Sequence, residues 1–141
     1  MIDSKNIKIE DLNAFMDNSM SGFLEMEVTA LGDDFLEMRM PVQPKTHQPF
    51  GILNGGASMA LAESAASLAG NLIVGPDHVC VGLEINGNHL RSERSGYVTA
   101  RATPIHLGKK THVWNIAIRN EKGDLVNISR MTLAVLPKTS V

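Results

Sequence analysis

The run GASMALAESAASLAGNLIV, residues 56–74, predicts one long helix at the centre of the fold. At helical spacing every face of this run is apolar or small, which is typical of a helix buried on all sides. Glu63 is its only ionisable residue, and a glutamate is almost never fully buried without a partner or a purpose. A carboxylate below the glycine-rich start of a helix predicts an acid–base or nucleophilic site. The alternative is a structural carboxylate held by a loop or by a partner chain.

Composition limits the classes of protein that this chain can belong to. Its 141 residues suffice for one domain, 1–141, with a core that needs no disulfide. Cys80 is the only cysteine, which excludes an internal disulfide and a thiolate metal cluster. The net charge of −2 predicts no general attraction to nucleic acid. The first residues lack the apolar core of a signal peptide, and Glu63 makes the helix a poor membrane span. We therefore expect a cytoplasmic protein.

The hydrophobic pattern predicts an α+β fold in which strands surround the central helix. A short amphipathic helix is expected at 9–17, a hairpin of two strands at 21–31 and 35–42, and the long helix at 54–74. Four further strands are expected at 79–90, 96–106, 111–120 and 125–136. A strongly curved antiparallel sheet can wrap around a single long helix. Both faces of the strand at 111–120 carry apolar residues, which indicates self-association.

Four strings resemble one family of enzymes. They are LGDDFLEMRMPV at 31–42, THQPFGILNGGASMALAESAAS at 46–67, NGNHLR at 86–91 and IHLGKKTHVWNI at 105–116. Together they resemble the hot-dog-fold acyl-CoA thioesterases, in the branch of the Arthrobacter-type hydroxybenzoyl-CoA thioesterase and close to the dihydroxynaphthoyl-CoA and enterobactin proofreading thioesterases. The resemblance implies a hot-dog fold, hydrolysis of aromatic acyl-CoA and a role such as menaquinone biosynthesis. It also implies dimers joined by a continuous sheet and paired into a homotetramer, with sites at the dimer interface.

Thioester hydrolysis needs an attacking carboxylate or a base that activates water, and Glu63 can serve in either role. The resemblance implies that the N–H of Gly55 donates to the thioester oxygen, where the helix dipole favours negative charge. It further implies that Gln48 reaches the neighbouring subunit's Glu63. Ser67, one turn after Glu63, would orient water or the acyl group. Read alone, Gln48 is a loop residue, Gly55 a turn residue and Ser67 a small packing residue.

Asn54 is the main departure from the family pattern, which typically has His at this position to help polarise the carbonyl. Asparagine is a good helix cap and keeps an N–H₂ donor, but it cannot carry a proton as histidine can. We therefore expect a working enzyme that is slower or differs in its pH dependence.

The resemblance also implies contacts with coenzyme A, which is part of the substrate and not a cofactor. The expected substrate-binding residues are Gly82, His89, Leu90, Arg91, Ser92, His106, Leu107, Gly108, Lys109, Lys110 and Thr111. The basic residues among them would hold phosphates, although each alone reads as a solvated rim. The histidines show no metal-ligand spacing, so we expect no metal.

Three other functions stay open at this point. The chain could be a non-catalytic acyl-CoA-binding hot-dog oligomer, a thioesterase that acts on an acyl carrier protein, or a hot-dog hydratase, although the catalytic histidine of that class has no counterpart on the helix. The acyl group is not determined by the sequence. We expect the acyl pocket to be shaped by Phe50, Met59, Leu68 and Gly82 and by the N-terminal helix of a neighbouring subunit.

Overall fold

Six antiparallel strands form one sheet in the order β1-β2-β4-β5-β6-β3. The computed structural model describes residues 1–140. Its elements are α1 (Ile9–Met16), α2 (Met20–Phe23), β1 (Glu27–Gly32), β2 (Phe35–Pro41), a 3-10 turn (Pro44–Thr46), α3 (Gly55–Asn71), β3 (His78–His89), β4 (Tyr97–Leu107), β5 (Thr111–Asn120), β6 (Leu125–Pro137) and a final 3-10 turn (Lys138–Ser140). The helix α3 contacts five strands, β2 to β6, so the sheet curves around it. The predicted α+β hot-dog architecture is confirmed.

The core lies between one face of the sheet and one face of α3. Every second residue of the central strands points inward and is fully buried, because side chains alternate between the two faces of a strand. These strand residues are Leu36, Met38, Met40, Val98, Ala100, Ala102, Trp114, Ile116 and Ile118. The helix meets them with Leu61 and four alanines, Ala62, Ala65, Ala66 and Ala69, all without exposed surface. Small side chains on the helix therefore let the curved sheet approach closely.

The prediction that the central helix is buried on all sides is wrong for this chain. The face opposite the core is open, and Glu63 on it is exposed. A sheet that wraps one side of a helix leaves the other side uncovered. Hydropathy did not distinguish the two faces, because alanine, serine and glycine occur on both. The helix also ends at Asn71, three residues earlier than expected.

The N-terminal segment is the other departure from the predicted elements. The strand expected at 21–31 begins only at Glu27, and Met20–Phe23 forms a helical turn instead. Glu25 has a φ of 58°, a left-handed conformation that interrupts an extended chain. The N–H groups of Glu25 and Met26 bond back to the carbonyls of Gly22 and Ser21. The remaining predicted strands and the β1–β2 hairpin are confirmed to within two residues at each end.

Strand β3 forms one edge of the sheet, and the helix protects part of that edge. The Asn71 side chain accepts a hydrogen bond from the Cys80 N–H at 2.9 Å and donates one to the Cys80 carbonyl at 3.1 Å. In the described residues 1–140, β3 has a strand partner only on the side of β6. Its outer side beyond Cys80 is therefore available for pairing.

No helix within residues 1–140 has the length and apolar character needed to cross a membrane.

Candidate active site

Glu63 lies in a groove of about 970 Å³ along the open face of α3. Among residues 1–140 it is the only acidic one that lines this groove, and Ser67 lies one helical turn further along the same wall. Gly82 of β3 faces the carboxylate: a Cβ atom at residue 82 would lie 3.2 Å from the Glu63 Oε1 atom. The structure therefore brings together three predicted site residues: Glu63, Ser67 and Gly82.

The opposite wall of the groove comes from the N-terminal segment of the same chain. Phe15, Met16 and Met20 line it, whereas the sequence interpretation assigned this wall to the N-terminal helix of a neighbouring subunit. Within a single chain α1 and α2 form this wall, and the contribution of a neighbouring subunit's N-terminal helix stays a prediction. The Ser21 hydroxyl donates to the Ser64 hydroxyl at 3.3 Å and links the two walls.

The start of α3 presents an unpaired backbone donor. The Asn54 Oδ1 atom accepts hydrogen bonds from the N–H groups of Gly56 at 2.7 Å and Ala57 at 3.4 Å, so Asn54 caps the helix. The N–H of Gly55 has no protein acceptor within residues 1–140. A first-turn N–H without a partner, at the positive end of the helix dipole, is suited to hold a developing negative charge.

Gln48 lies near this helix start, on a tight loop. Its Oε1 atom accepts a hydrogen bond from the Phe50 N–H at 2.6 Å, and its backbone N–H donates to the Ile52 carbonyl at 2.8 Å. The side-chain oxygen is therefore used by the loop, and the Nε2 hydrogens remain to donate to a ligand. Phe50 is 84% exposed and does not line the Glu63 groove.

A second cavity, of about 370 Å³, collects most of the remaining predicted residues at the helix start. Gln48 and Gly55 line it together with His89, the last residue of β3, and the three residues after it, Leu90, Arg91 and Ser92. Arg91 is half-exposed and lies 3.9 Å from an Asp124 oxygen, a separation that contributes little stability at a surface.

The helix start and the carboxylate are too far apart to act together within one chain. Glu63 is eight positions after Gly55, so about 12 Å of helix lies between them at 1.5 Å per residue. Gln48 and Glu63 accordingly line different cavities. Within one chain the predicted residues at the helix start therefore lie apart from Glu63.

The predicted phosphate-binding turn, residues 106–111, lies at the far end of α3. It joins β4 to β5, and the Gly108 N–H donates to the Thr111 carbonyl at 2.9 Å. Leu107, Gly108 and Lys109 line a third cavity, of about 510 Å³. Since α3 has 17 residues and is about 25 Å long, one chain does not bring this turn together with the segment at 89–92.

His112 lines that third cavity from the end of the turn and is almost fully buried. Burial lowers the pKa of its imidazole, and the charges of His106 and the N-terminus act in the same direction. A hydrogen bond with the backbone of Gly108 acts in the opposite direction. Nearby, burial raises the pKa of the Cys80 thiol to about 11, so this thiol is unreactive at neutral pH.

Two buried polar residues beside His89 were not among the predicted site residues. Asn127 and Ser129 occupy inward-facing positions of β6, on the same face as Met131 and Leu133. Polar residues at two inward positions of a strand that is otherwise apolar on that face are the signal that could have revealed them. Within residues 1–140 no cluster of three His, Cys, Asp or Glu side chains could hold a metal ion.

Comparison with known proteins identifies the family of this chain. The family model described as "Thioesterase superfamily" matches residues 50–127. The chain is 49% identical over 136 residues to an Escherichia coli protein named 1,4-dihydroxy-2-naphthoyl-CoA hydrolase, covering 96% of this chain and 100% of that protein. It is 43% identical over 136 residues to the proofreading thioesterase EntH of Cronobacter turicensis, covering 96% and 99%.

The fold agrees equally well with a solved structure, that of the thioesterase HI1161 from Haemophilus influenzae. The two share 50% identity and a TM-score of 0.94, over 97% of this chain and 96% of the other. With a family model that spans more than half of its residues and relatives that match it almost throughout, this chain belongs to the thioesterase superfamily and is a thioester hydrolase.

Proposed function

We propose that this protein hydrolyses aromatic acyl-CoA thioesters to the free acid and CoA, with Glu63 as nucleophile or general base. The observation that carries the proposal is the position of Glu63, the one carboxylate in a large groove whose walls include Phe15, Met16 and Met59. Aromatic and thioether side chains suit a flat apolar ring. The name of the Escherichia coli relative, a dihydroxynaphthoyl-CoA hydrolase, supports the aromatic substrate.

A second copy of the chain would complete the reaction centre. Gly82 lies beside Glu63 near the beginning of β3, and His89 lies beside Gly55 at its end. If two β3 edges pair antiparallel, the beginning of one strand lies opposite the end of the other. Glu63 of one copy would then face the helix start of its partner. The free outer side of β3 supports this arrangement, and pairing of two such dimers into a tetramer is part of the proposal.

In the proposed reaction the thioester oxygen accepts a hydrogen bond from the Gly55 N–H while charge develops on it. Glu63 either attacks the carbonyl carbon, forming an anhydride that water then cleaves, or removes a proton from the water that attacks. In both routes the C–S bond breaks, the thiolate of CoA leaves, and it gains a proton. The Nε2 hydrogens of Gln48 and the hydroxyl of Ser67 would position the water or the carboxylate.

Asn54 contributes mainly as the cap of α3 in this proposal. Because its oxygen is occupied by the Gly56 N–H, only its Nδ2 hydrogens remain to assist the carbonyl. The residues at 89–92 and 106–111 would contact CoA, with Arg91, Lys109 and Lys110 as phosphate ligands. Their separation along α3 supports contributions from more than one subunit.

We also propose the pathway in which this enzyme acts. A step in menaquinone biosynthesis is supported by the printed name of the Escherichia coli relative. The relative named EntH supports the alternative of proofreading in siderophore synthesis, with an acyl carrier protein as the thioester donor. We place the enzyme in the cytoplasm, where CoA esters are made.

The proposal can be tested by measuring thiol release from benzoyl-, hydroxybenzoyl-, hydroxynaphthoyl- and aliphatic acyl-CoA. We expect fast release with the aromatic members and its loss in Glu63→Ala, with Glu63→Gln as a matched control that keeps size and fold. Turnover that survives both substitutions would exclude Glu63 as the reacting group. Binding of CoA esters without turnover would favour the non-catalytic acyl-CoA-binding alternative.

A further inference from the structure

We infer that His89 is a second hydrogen-bond donor to the thioester carbonyl, and that buried Asn127 and Ser129 hold it in the tautomer that can donate. The inference rests on the proposed function, because it deepens the chemistry at the start of α3. It assigns to His89 a role different from a contact with the phosphates of CoA.

The first step is the position of the ring. A Cβ atom on Gly55 would lie only 2.8 Å from the His89 Nε2 atom, so the imidazole packs directly against the first residue of α3. His89 lines the same cavity as Gly55 and Gln48. The Nε2 atom therefore lies beside Gly55, the residue whose N–H is free, and glycine at position 55 is what allows this approach.

The second step is the location of the proton on that ring. The Asn127 Nδ2 atom lies 3.2 Å from the His89 Nδ1 atom. An amide nitrogen can only donate, so Nδ1 must accept, and a neutral imidazole then carries its proton on Nε2. His89 thus presents an N–H donor to the cavity at the helix start.

The third step is what fixes the direction of the Asn127 amide. Asn127 has no exposed surface, and Ser129 is 4% exposed. The Ser129 hydroxyl donates to the Asn127 Oδ1 atom at 2.6 Å. The Asn127 Nδ2 group also donates to the Met59 sulfur at 3.8 Å, and because a thioether sulfur only accepts, this contact keeps the Nδ2 group on the side of His89. Met59 of α3 covers this pair, with its sulfur 3.6 Å from the Ser129 oxygen. A Cβ atom on Gly87 would overlap that hydroxyl, so β3 leaves room for it.

The position of His89 shows how this helix start can have an imidazole donor although residue 54 is asparagine. The oxygen of Asn54 is committed to capping the helix, and asparagine cannot supply an imidazole at that position. His89 supplies an imidazole N–H to the same helix start from β3. Gly55 N–H and His89 Nε2–H are then two donors at the same helix start, as an oxyanion requires.

The first test reads the tautomer directly, on the intact wild-type protein. Nitrogen NMR of the imidazoles in mildly alkaline buffer, where an ordinary histidine is neutral, should show the His89 proton on Nε2. The signal is assigned by its loss in His89→Ala. In Asn127→Asp the carboxylate can only accept, so the proton should move to Nδ1. If that variant does not fold, Ser129→Ala, which frees the amide to rotate, should show a mixture. A wild-type His89 with its proton on Nδ1 would overturn the inference.

The second test separates a carbonyl donor from a phosphate contact. We expect His89→Ala to lower kcat about 10²-fold on an aromatic acyl-CoA and equally on the matching acyl-pantetheine, which has no nucleotide phosphates. Arg91→Ala is the matched comparison, because a phosphate contact should matter only for the CoA ester. An effect of His89→Ala confined to KM for the CoA ester would overturn the inference. Wild-type protein with no turnover of either ester would instead overturn the proposed function.

Discussion

Mixing two inactive variants should restore activity if each reaction centre is shared between two copies. Glu63→Ala removes the carboxylate and leaves the helix start unchanged, whereas Gln48→Ala removes the amide at the helix start and keeps the carboxylate. Each variant alone should hydrolyse an aromatic acyl-CoA at least about 10²-fold more slowly than the wild type.

The expected recovery follows from the distance along α3. About 12 Å separates Gly55 from Glu63, whereas groups that act on one carbonyl must lie within about 3.5 Å of the reacting atoms. In a two-fold dimer of unlike variants, one centre carries both changes and the other carries neither. Random pairing makes half of the dimers mixed, so the preparation should regain about a quarter of wild-type activity.

The assay co-expresses the two variants with different affinity tags and follows thiol release from the purified mixture. Glu63→Ala paired with Glu63→Gln is the control, because no combination of these subunits restores a carboxylate. If mixed dimers are isolated through both tags and show no more activity than the mean of the two variants, the shared centre is refuted.

Three further changes probe stability and the helix start. Gly70→Ala should lower the free energy of unfolding by about 1–2 kcal/mol, because a Cβ atom at residue 70 would lie 2.6 Å from the buried Leu133 Cδ1 atom. This overpacking should outweigh the gain in helix propensity. Urea titration measures the change, and an unchanged midpoint would contradict the prediction. Burial lowers the folded-state pKa of His112 below its ordinary 6.5, so just below pH 6.5 the unfolded chain binds more protons than the folded chain. The free energy of unfolding should therefore be constant above pH 6.5 and fall as the pH drops below 6.5. The fall should be smaller in His112→Gln. Asn54→His should lower the free energy of unfolding by about 1 kcal/mol, because the cap on the Gly56 N–H is lost, while turnover rises. Asn54→Ser can still cap the helix, so it should keep the stability of the wild type without the gain in turnover.

Much of the fold could be predicted because alternation is strong where the core is formed. In β5 the residues Trp114, Ile116 and Ile118 recur at every second position, and the strand was predicted at its observed bounds. The region before Glu27 could not be predicted in this way. Met20–Phe23 forms a helical turn, and a single left-handed residue, Glu25, interrupts the chain before the strand begins. The side chain of Glu25 gives no sign of that conformation.

The candidate site was predictable as a set of residues but not as an arrangement. Glu63 stands out as the only charge on a long apolar helix, and the structure places it in a groove. Its exposure could not be predicted, because the small residues of α3 look alike on both faces. Nor could the separation of Gln48 from Glu63 into two cavities be read from linear order, since it depends on how the loop before Gly55 folds back.

The two faces of α3 have a consequence for how this protein can diversify. The alanines of α3 meet the sheet, whereas Ser64 and Ser67 line the groove. Met59 and Leu68 line the groove and also contact the interior, Met59 through Asn127 and Ser129 and Leu68 through the core. Substitutions at Ser64 and Ser67 can therefore reshape the groove with little effect on the core, whereas changes at Met59 and Leu68 also alter interior packing. One face of α3 maintains the fold, and residues on its other face can change as the substrate changes.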